Sequence, residues 1–171
     1  MIPAPPAAIL VVDRLSRSYG ELRAVSDPPR PAAGELRPAT EADRELLIGW
    51  ERAFAAEAGV AVVGNAAGMV DRRLADGSQF VWDAGRPVST LALSPMIAGT
   101  VRIGPVYTPP ERRRRGYAGS AVAAACRLAL ARGAERCALF ADLANPTSNR
   151  IYSSVGFVAL AEWEEHEFDV S

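Results

Sequence analysis

One stretch in the second half of the chain constrains the fold more than any other. Residues 100–108 read as a strand, but Gly104-Pro105 interrupts them. Proline lacks the N–H of a ladder hydrogen bond and glycine weakens a strand interior, so the pair predicts a bulge or a splay. Residues 117–132 are rich in alanine and predict a helix, which Gly133 ends. A distorted strand therefore leads through a short loop to the start of a long helix.

The loop between that strand and that helix has the features of an anion site. Helix N-termini carry unpaired N–H groups and a partial positive charge, which suit a phosphate. Gly116 tolerates unusual dihedral angles and lets the backbone approach a ligand closely. Ala118 and Gly119 keep the first helical turn free of bulk, and Arg113–Arg115 can grip phosphate in a bidentate way.

Two common phosphate loops are excluded, and three simpler interpretations of this one stay open. The chain has no lysine, so it has no Walker loop, and the G-x-G-x-x-G spacing of a Rossmann fold is absent. Arg112–Arg115 would equally suit a solvated basic loop or a small nucleic-acid patch, and the glycines would suit ordinary turns.

A second polar segment follows about one helix and one strand later, at residues 145–157. Asn145-Pro146 is a turn signal, and Thr147 or Ser148 can cap the next helix. Asn149 and Tyr152 are three residues apart, so they lie on one helical face. The Tyr152 hydroxyl could donate a proton to a leaving group there, or it could belong to a packed aromatic side chain.

The remaining pattern predicts a mixed α/β sheet, because strands alternate with helices while the middle strands form a hairpin. Thr40 and Asp43 form a capping-box pattern at the start of a helix that Gly59 ends. Other helices are predicted within 65–75 and at 148–154. Strands are predicted at 36–39, 79–83, 87–93 and 137–141, with one or two more between 158 and 170.

The first 34 residues read differently from the rest. Residues 9–12 favour a strand and residues 13–25 a short helix, and residues 27–34 form a proline-rich connector. We therefore divide the chain into an N-terminal arm, or the remnant of a larger N-terminal element, at 1–34 and one domain at 35–171.

Composition narrows the functional classes. With 171 residues and a net charge of −1, the chain fits one main domain and lacks the basic excess of most nucleic-acid binders. The one histidine argues against zinc, so no metal is expected. Cys126 and Cys137 suggest buried free thiols in a reducing compartment, although a disulfide between them stays open. No apolar run is long enough to span a membrane, so a cytoplasmic protein without membrane partners is expected.

With both motifs in view, residues 36–170 resemble the GNAT superfamily of N-acetyltransferases. The family pattern Arg/Gln-x-x-Gly-x-Gly/Ala is similar to residues 113–118, and residues 106–111 look like the acetyl-CoA strand that precedes it. Residues 145–152 with Gly156-Phe157 look like the second cofactor segment of the family. The resemblance implies an α/β (α+β) fold with a mixed, mostly antiparallel sheet whose middle strands splay between flanking helices.

The resemblance also implies an activity, namely direct acetyl transfer from acetyl-CoA to an amine, with Tyr152 protonating the departing thiolate. The backbone around Val106 and Thr108 would pair with the pantetheine arm, and an N–H near Val106 would stabilise the oxyanion. Residues 114–119 would hold the pyrophosphate through their N–H groups. The full set of implied cofactor contacts is Val106, Tyr107, Thr108, Arg113, Arg114, Arg115, Gly116, Tyr117, Ala118, Gly119, Asn145, Ser148, Asn149 and Tyr152.

The chain departs from the family at the general base. The family often takes this base from a carboxylate on or near the central strands, and residues 100–108 offer none. A water chain or Glu111 stays open, as does a carboxylate or the histidine within 162–166. The alternative function is therefore a non-catalytic acyl-CoA sensor or interaction domain. The acceptor is expected to be a small-molecule or peptide amine, not nucleic acid, and a homodimer is possible.

Overall fold

A computed structural model describes residues 14–59 and 65–166. The strands of this part are β1 (Arg14–Leu22), β2 (Glu35–Pro38), β3 (Gln79–Asp83), β4 (Pro87–Leu93), β5 (Thr100–Tyr107), β6 (Arg136–Asp142) and β7 (Val158–His166). Its α-helices are α1 (Arg44–Ala58), α2 (Ala66–Ala75), α3 (Tyr117–Ala131) and α4 (Pro146–Val155). None of these helices has the length and apolar character needed to cross a membrane.

The strands form one seven-stranded sheet in the order β2-β3-β4-β5-β6-β1-β7. Each neighbouring pair is antiparallel except β5 and β6, which are parallel. The β3–β4 hairpin turns at residues 84–86, where the Ala84 N–H donates to the Arg86 carbonyl at 3.0 Å. The predicted mixed, mostly antiparallel sheet is confirmed.

Helices cover both faces of this sheet. The larger core joins α3 to the strands, with Leu91, Val122 and Cys137 at most 1% exposed. The smaller core lies on the opposite face, where Leu47 of α1 and Val70 of α2 meet Val81 of β3. Successive side chains of a strand point to opposite faces, so β3 supplies Phe80 and Trp82 to the larger core and Val81 to the smaller one.

The start of α1 follows the capping-box pattern. The Asp43 carboxylate accepts the Thr40 N–H at 2.9 Å, and a single 3-10 turn at Glu41–Asp43 precedes the helix. Arg37 donates to the same carboxylate at 2.7 Å and to Asp83 at 2.8 Å. The Arg37 guanidinium holds the pKa of Asp43 below its usual range, because it stabilises the charged form.

The N-terminal region differs from its prediction. The helix predicted at 13–25 is wrong, because β1 occupies Arg14–Leu22 and pairs antiparallel with β6 on one side and β7 on the other. Strand pairing overrides the weak helical preference of this segment. The strand predicted at 9–12 lies outside the described residues. The division at residue 34 stays a prediction, although β1 lies within the same sheet as the rest.

The start of the last helix also differs from the sequence pattern. The last helix begins at Pro146 instead of Ser148, because Asn145 caps it by accepting the Ser148 N–H at 3.1 Å. The capping role predicted for Thr147 or Ser148 is therefore wrong, and Pro146 takes the first helical position, which needs no N–H. Cys126 and Cys137 are free and buried, as their spacing suggested.

Candidate acetyl-CoA site

The central feature of the site is a gap between β5 and β6. These parallel strands pair at Thr100, Val101 and Arg102, and the pairing stops there. On the other side of β5, Ile103 pairs with Leu93 of β4 and Val106 pairs with Leu91. β5 therefore has one more residue than β4 between these pairs, and Gly104-Pro105 forms a bulge. The predicted bulge is confirmed, and so is the separation of the two central strands.

Backbone groups of β5 point into this gap. The Ser89 hydroxyl of β4 donates to the Tyr107 carbonyl at 2.9 Å, which fixes that carbonyl on the β4 side. Neighbouring residues of a strand direct their polar groups to opposite sides, so those of Val106 face β6. The Thr108 carbonyl already accepts the Arg113 Nε–H at 2.8 Å. Among the described residues, the backbone groups of Val106 therefore have no partner on the β6 side, while the Thr108 carbonyl has an internal partner.

The loop after β5 presents a row of amide groups, here called the amide loop (residues 114–119). Arg114 and Gly116 have positive φ angles of 62° and 83°, and α3 begins directly afterwards. Within the described part of the chain, the N–H groups of Arg114, Arg115 and Gly116 have no acceptor. The first turn of a helix adds further unpaired N–H groups. Such a run of amides at a helix start suits a phosphate.

The arginines around this loop fall into two groups. Arg113 is held by Glu57, which pairs with its guanidinium, and it lies over the Tyr107 ring at 5.7 Å. Arg114 and Arg115 are exposed and form no ion pair within the described residues. Arg114 and Arg115 are therefore available to an anion, whereas Arg113 is already paired within the protein.

Glu57 is a residue that the sequence prediction missed. One carboxylate oxygen accepts the Tyr107 hydroxyl at 3.1 Å, and the other pairs with Arg113. Burial and the Glu57 charge raise the pKa of Tyr107. Trp50 and Phe54 pack on the Tyr107 ring from the same face of α1. The spacing of 50, 54 and 57 marks one helical face, which was the available signal.

Tyr152 lies on α4, against the core formed with α3. Its ring meets Phe157 edge-on with 6.2 Å between centroids. Burial raises the pKa of Tyr152 to about 12, while a hydrogen bond from Ser148 opposes part of that rise. The phenol therefore keeps its proton at neutral pH, as a proton donor must.

The polar residues around α4 have local partners. Asn145 caps the helix, and the Asn149 side chain donates to the carbonyls of Asp142 at 3.0 Å and Leu143 at 3.3 Å. These bonds fix the turn between β6 and α4. Contacts of Asn145, Ser148 and Asn149 with a cofactor stay predictions.

The predicted residues meet in one region of the fold. The amide loop and α4 are neighbours, since Ile151 lies 3.8 Å from the Cβ position of Gly119. Tyr117 of α3 and Tyr152 of α4 pack on the same core. Of the base candidates, Glu111 is exposed in the turn after β5 and residues 162–166 belong to β7, away from α3. The structure therefore brings the two sequence motifs together, and of the base candidates Glu111 lies near the end of β5, where its charge acts on Tyr107.

The family comparison agrees with this geometry. Residues 31–157 match the model of the Acetyltransferase (GNAT) family, which is most of the chain. The chain belongs to the GNAT acetyltransferase family. Acetyl transfer from acetyl-CoA is typical of this family. No curated protein matches the GNAT chain significantly.

Solved GNAT structures share the fold. An acetyltransferase from Colwellia psychrerythraea aligns over 95% of this chain and 58% of its own, with 13% identity and a TM-score of 0.67. A GCN5-related N-acetyltransferase from Sphaerobacter thermophilus aligns over 91% and 53%, with 18% identity and a TM-score of 0.63. This chain thus spans little more than half the length of either.

A third neighbour was solved with the cofactor. The GNAT acetyltransferase from Brucella melitensis, in complex with acetyl-CoA, aligns over 74% of this chain and 86% of its own. Its identity is 22% and its TM-score is 0.52. At this identity the similarity concerns the fold.

Proposed function

We propose that this GNAT protein transfers the acetyl group of acetyl-CoA directly to an amine. The observation that carries the proposal is the amide loop, whose unpaired N–H groups lie at the end of the β5–β6 gap. An extended thioester with a pyrophosphate at its far end matches a strand-like gap that ends in an anion site. Acetyl-CoA, when bound, supplies an activated acyl group.

Each part of the site has a physical role in this proposal. The free backbone groups of Val106 line the gap and can hydrogen-bond an extended amide-containing arm as a neighbouring strand would. Arg114 and Arg115 add positive charge around the amide loop. Holding both substrates in one geometry would supply a large share of the rate acceleration.

Tyr152 is the proposed proton donor. Its raised pKa keeps the phenol neutral throughout the physiological range, so the proton is available when the thiolate departs. The amine must reach the site neutral, and water is the simplest proton acceptor because β5 carries no carboxylate.

A calorimetric titration with acetyl-CoA tests the first half of this proposal, and a panel of amines followed by release of free thiol tests the second. Substituting Tyr152→Phe should lower kcat at least tenfold and leave the Kd for acetyl-CoA within about twofold. Tyr19→Phe is the matched control, since the Tyr19 hydroxyl bonds Glu21 on β1, away from α4. An equal loss of binding in Tyr152→Phe would mean that the tyrosine is structural.

A second candidate is acyl-CoA binding without transfer. Glu57 is the carboxylate nearest the end of β5 among those with described contacts, and both of its oxygens already have partners. Tight binding of acetyl-CoA with no thiol release from any amine would favour this alternative.

A further inference from the structure

The connector (residues 27–34) lies directly against the amide loop. The Ala32 N–H donates to the Ser120 hydroxyl at 2.9 Å, in the first turns of α3. The Pro28 side chain lies 3.4 Å from the Cβ position of Gly119. Asp27 forms an ion pair with Arg127, farther along the same helix. Contacts along the helix thus hold the connector in one place.

Arg30 lies at the centre of this contact. Its carbonyl oxygen occupies the space where a side chain on Gly116 would begin. Its guanidinium donates one N–H to the Arg114 carbonyl at 2.8 Å. An arginine side chain has five N–H donors, and this is the one bond that the described residues make to them. The other donors remain available beside the amide loop.

The arginines of this region differ in whether a carboxylate pairs with them. Arg113 has Glu57 as its partner, whereas Arg30, Arg114 and Arg115 have no carboxylate partner in the described ranges. Arg114 and Arg115 belong to the amide loop and Arg30 donates to the Arg114 carbonyl, so a bound anion would meet uncompensated positive charge there. This excess of charge is a second indication of an anionic ligand, independent of the unpaired amides.

Arg30 lies one residue before the start of the family match at residue 31. We propose that Arg30 is an additional binding residue for the phosphate groups of acetyl-CoA, brought to the site by the connector. This inference rests on the proposed function, since it takes acetyl-CoA as the ligand. The connector then serves as one wall of the cofactor site.

The test compares the Kd for acetyl-CoA among the wild type and three variants by calorimetry, with melting temperatures as a check on folding. Arg30→Ala should raise the Kd about fivefold, the effect of losing one exposed charged hydrogen bond. Arg30→Lys should recover part of that loss, because it keeps the charge without the planar fork. Arg132→Ala, at the far end of α3 and exposed, should change nothing.

The same titrations with 3′-dephospho-acetyl-CoA identify the phosphate. A loss that persists points to the pyrophosphate, and a loss that disappears points to the 3′-phosphate; both support the proposal. A Kd for Arg30→Ala within twofold of wild type, or a tighter one, would overturn it and indicate that the connector merely packs on or covers the loop. Failure of the wild type itself to bind acetyl-CoA would instead refute the proposed function.

Discussion

The contact between Gly116 and the connector leads to a prediction about the two glycines that flank α3. Gly116 precedes α3 with φ of 83°, and Gly133 follows it with φ of 95°. A side chain added at Gly116 would overlap the Arg30 carbonyl, whereas one added at Gly133 would meet nothing within 4 Å. Both substitutions therefore place an alanine in a left-handed conformation, but only Gly116→Ala also creates a steric overlap.

The magnitudes follow from these two terms. Alanine in a left-handed conformation costs about 1–2 kcal/mol at either position. Overlap with a backbone carbonyl, which cannot rotate away, adds about 1–3 kcal/mol at Gly116. Gly116→Ala should be less stable than Gly133→Ala by about 2 kcal/mol. For a chain of this size, that difference lowers the melting temperature by roughly a further 4–8 °C.

Urea unfolding followed by tryptophan fluorescence gives the free energies of unfolding, and calorimetry gives the Kd for acetyl-CoA. Gly116→Ala should also weaken acetyl-CoA binding at least tenfold, because the amide loop and the connector must both shift. Gly133→Ala should bind as the wild type does. Equal destabilisation of the two variants would refute the placement of Arg30 on Gly116.

Three further predictions concern ionisable groups. Transfer should show no falling alkaline limb from Tyr152 up to about pH 10, because burial raises its pKa to about 12 and the donor must be protonated. A double-mutant cycle of Glu57→Ala and Arg113→Ala should give a coupling of about 0.5–1 kcal/mol, since both side chains are more than 40% exposed. Asp43→Asn should destabilise the fold by about 2 kcal/mol at pH 7, because it removes the more buried of the two carboxylates that pair with Arg37 and leaves only Asp83. The lowered pKa of Asp43 means that its contribution is present above pH 3.8 and fades as the pH falls through the folded-state pKa, so Asp43→Asn should flatten the acid side of the stability curve.

Each of these has a contrary result. If the transfer rate falls near pH 9 in the wild type but not in Tyr152→Phe, the pKa of the Tyr152 phenol is not raised. A coupling of zero between Glu57 and Arg113 would remove the proposed anchoring of the loop. Asp71→Asn breaks an exposed pair with Arg44 and serves as the control for Asp43, so equal stability of the two variants would contradict the buried network.

The local elements of the domain followed from residue patterns. Periodicity predicted the β3–β4 hairpin, α1 with its Thr40–Asp43 cap, and α3 with its glycine stop. These features depend on contacts between residues close in sequence, which is why composition and spacing reveal them. The bulge at Gly104-Pro105 was predictable for the same reason, because the chemistry of two residues rules out a regular ladder.

The placement of β1 and of the connector did not follow from the sequence. Residues 14–22 favoured a helix locally, and only pairing with β6 and β7, more than 100 residues away, makes them a strand. Glu57 was missed because its partners, Tyr107 and Arg113, lie about 50 residues farther along the chain. No local sequence pattern indicates a contact between residues so far apart in the chain.

The sequence by itself determined the family and the two motifs, because each motif consists of residues close together in the chain. Glycine and proline set the local backbone conformation, and the arginine run sets the local charge. Tertiary structure alone decided which arginines remain available to an anion. Arg113 and Arg114 are adjacent and chemically identical, yet a carboxylate from α1 pairs with the first, and the connector lies beside the second. Long-range electrostatics and packing set that difference, because they depend on where the fold brings distant residues together.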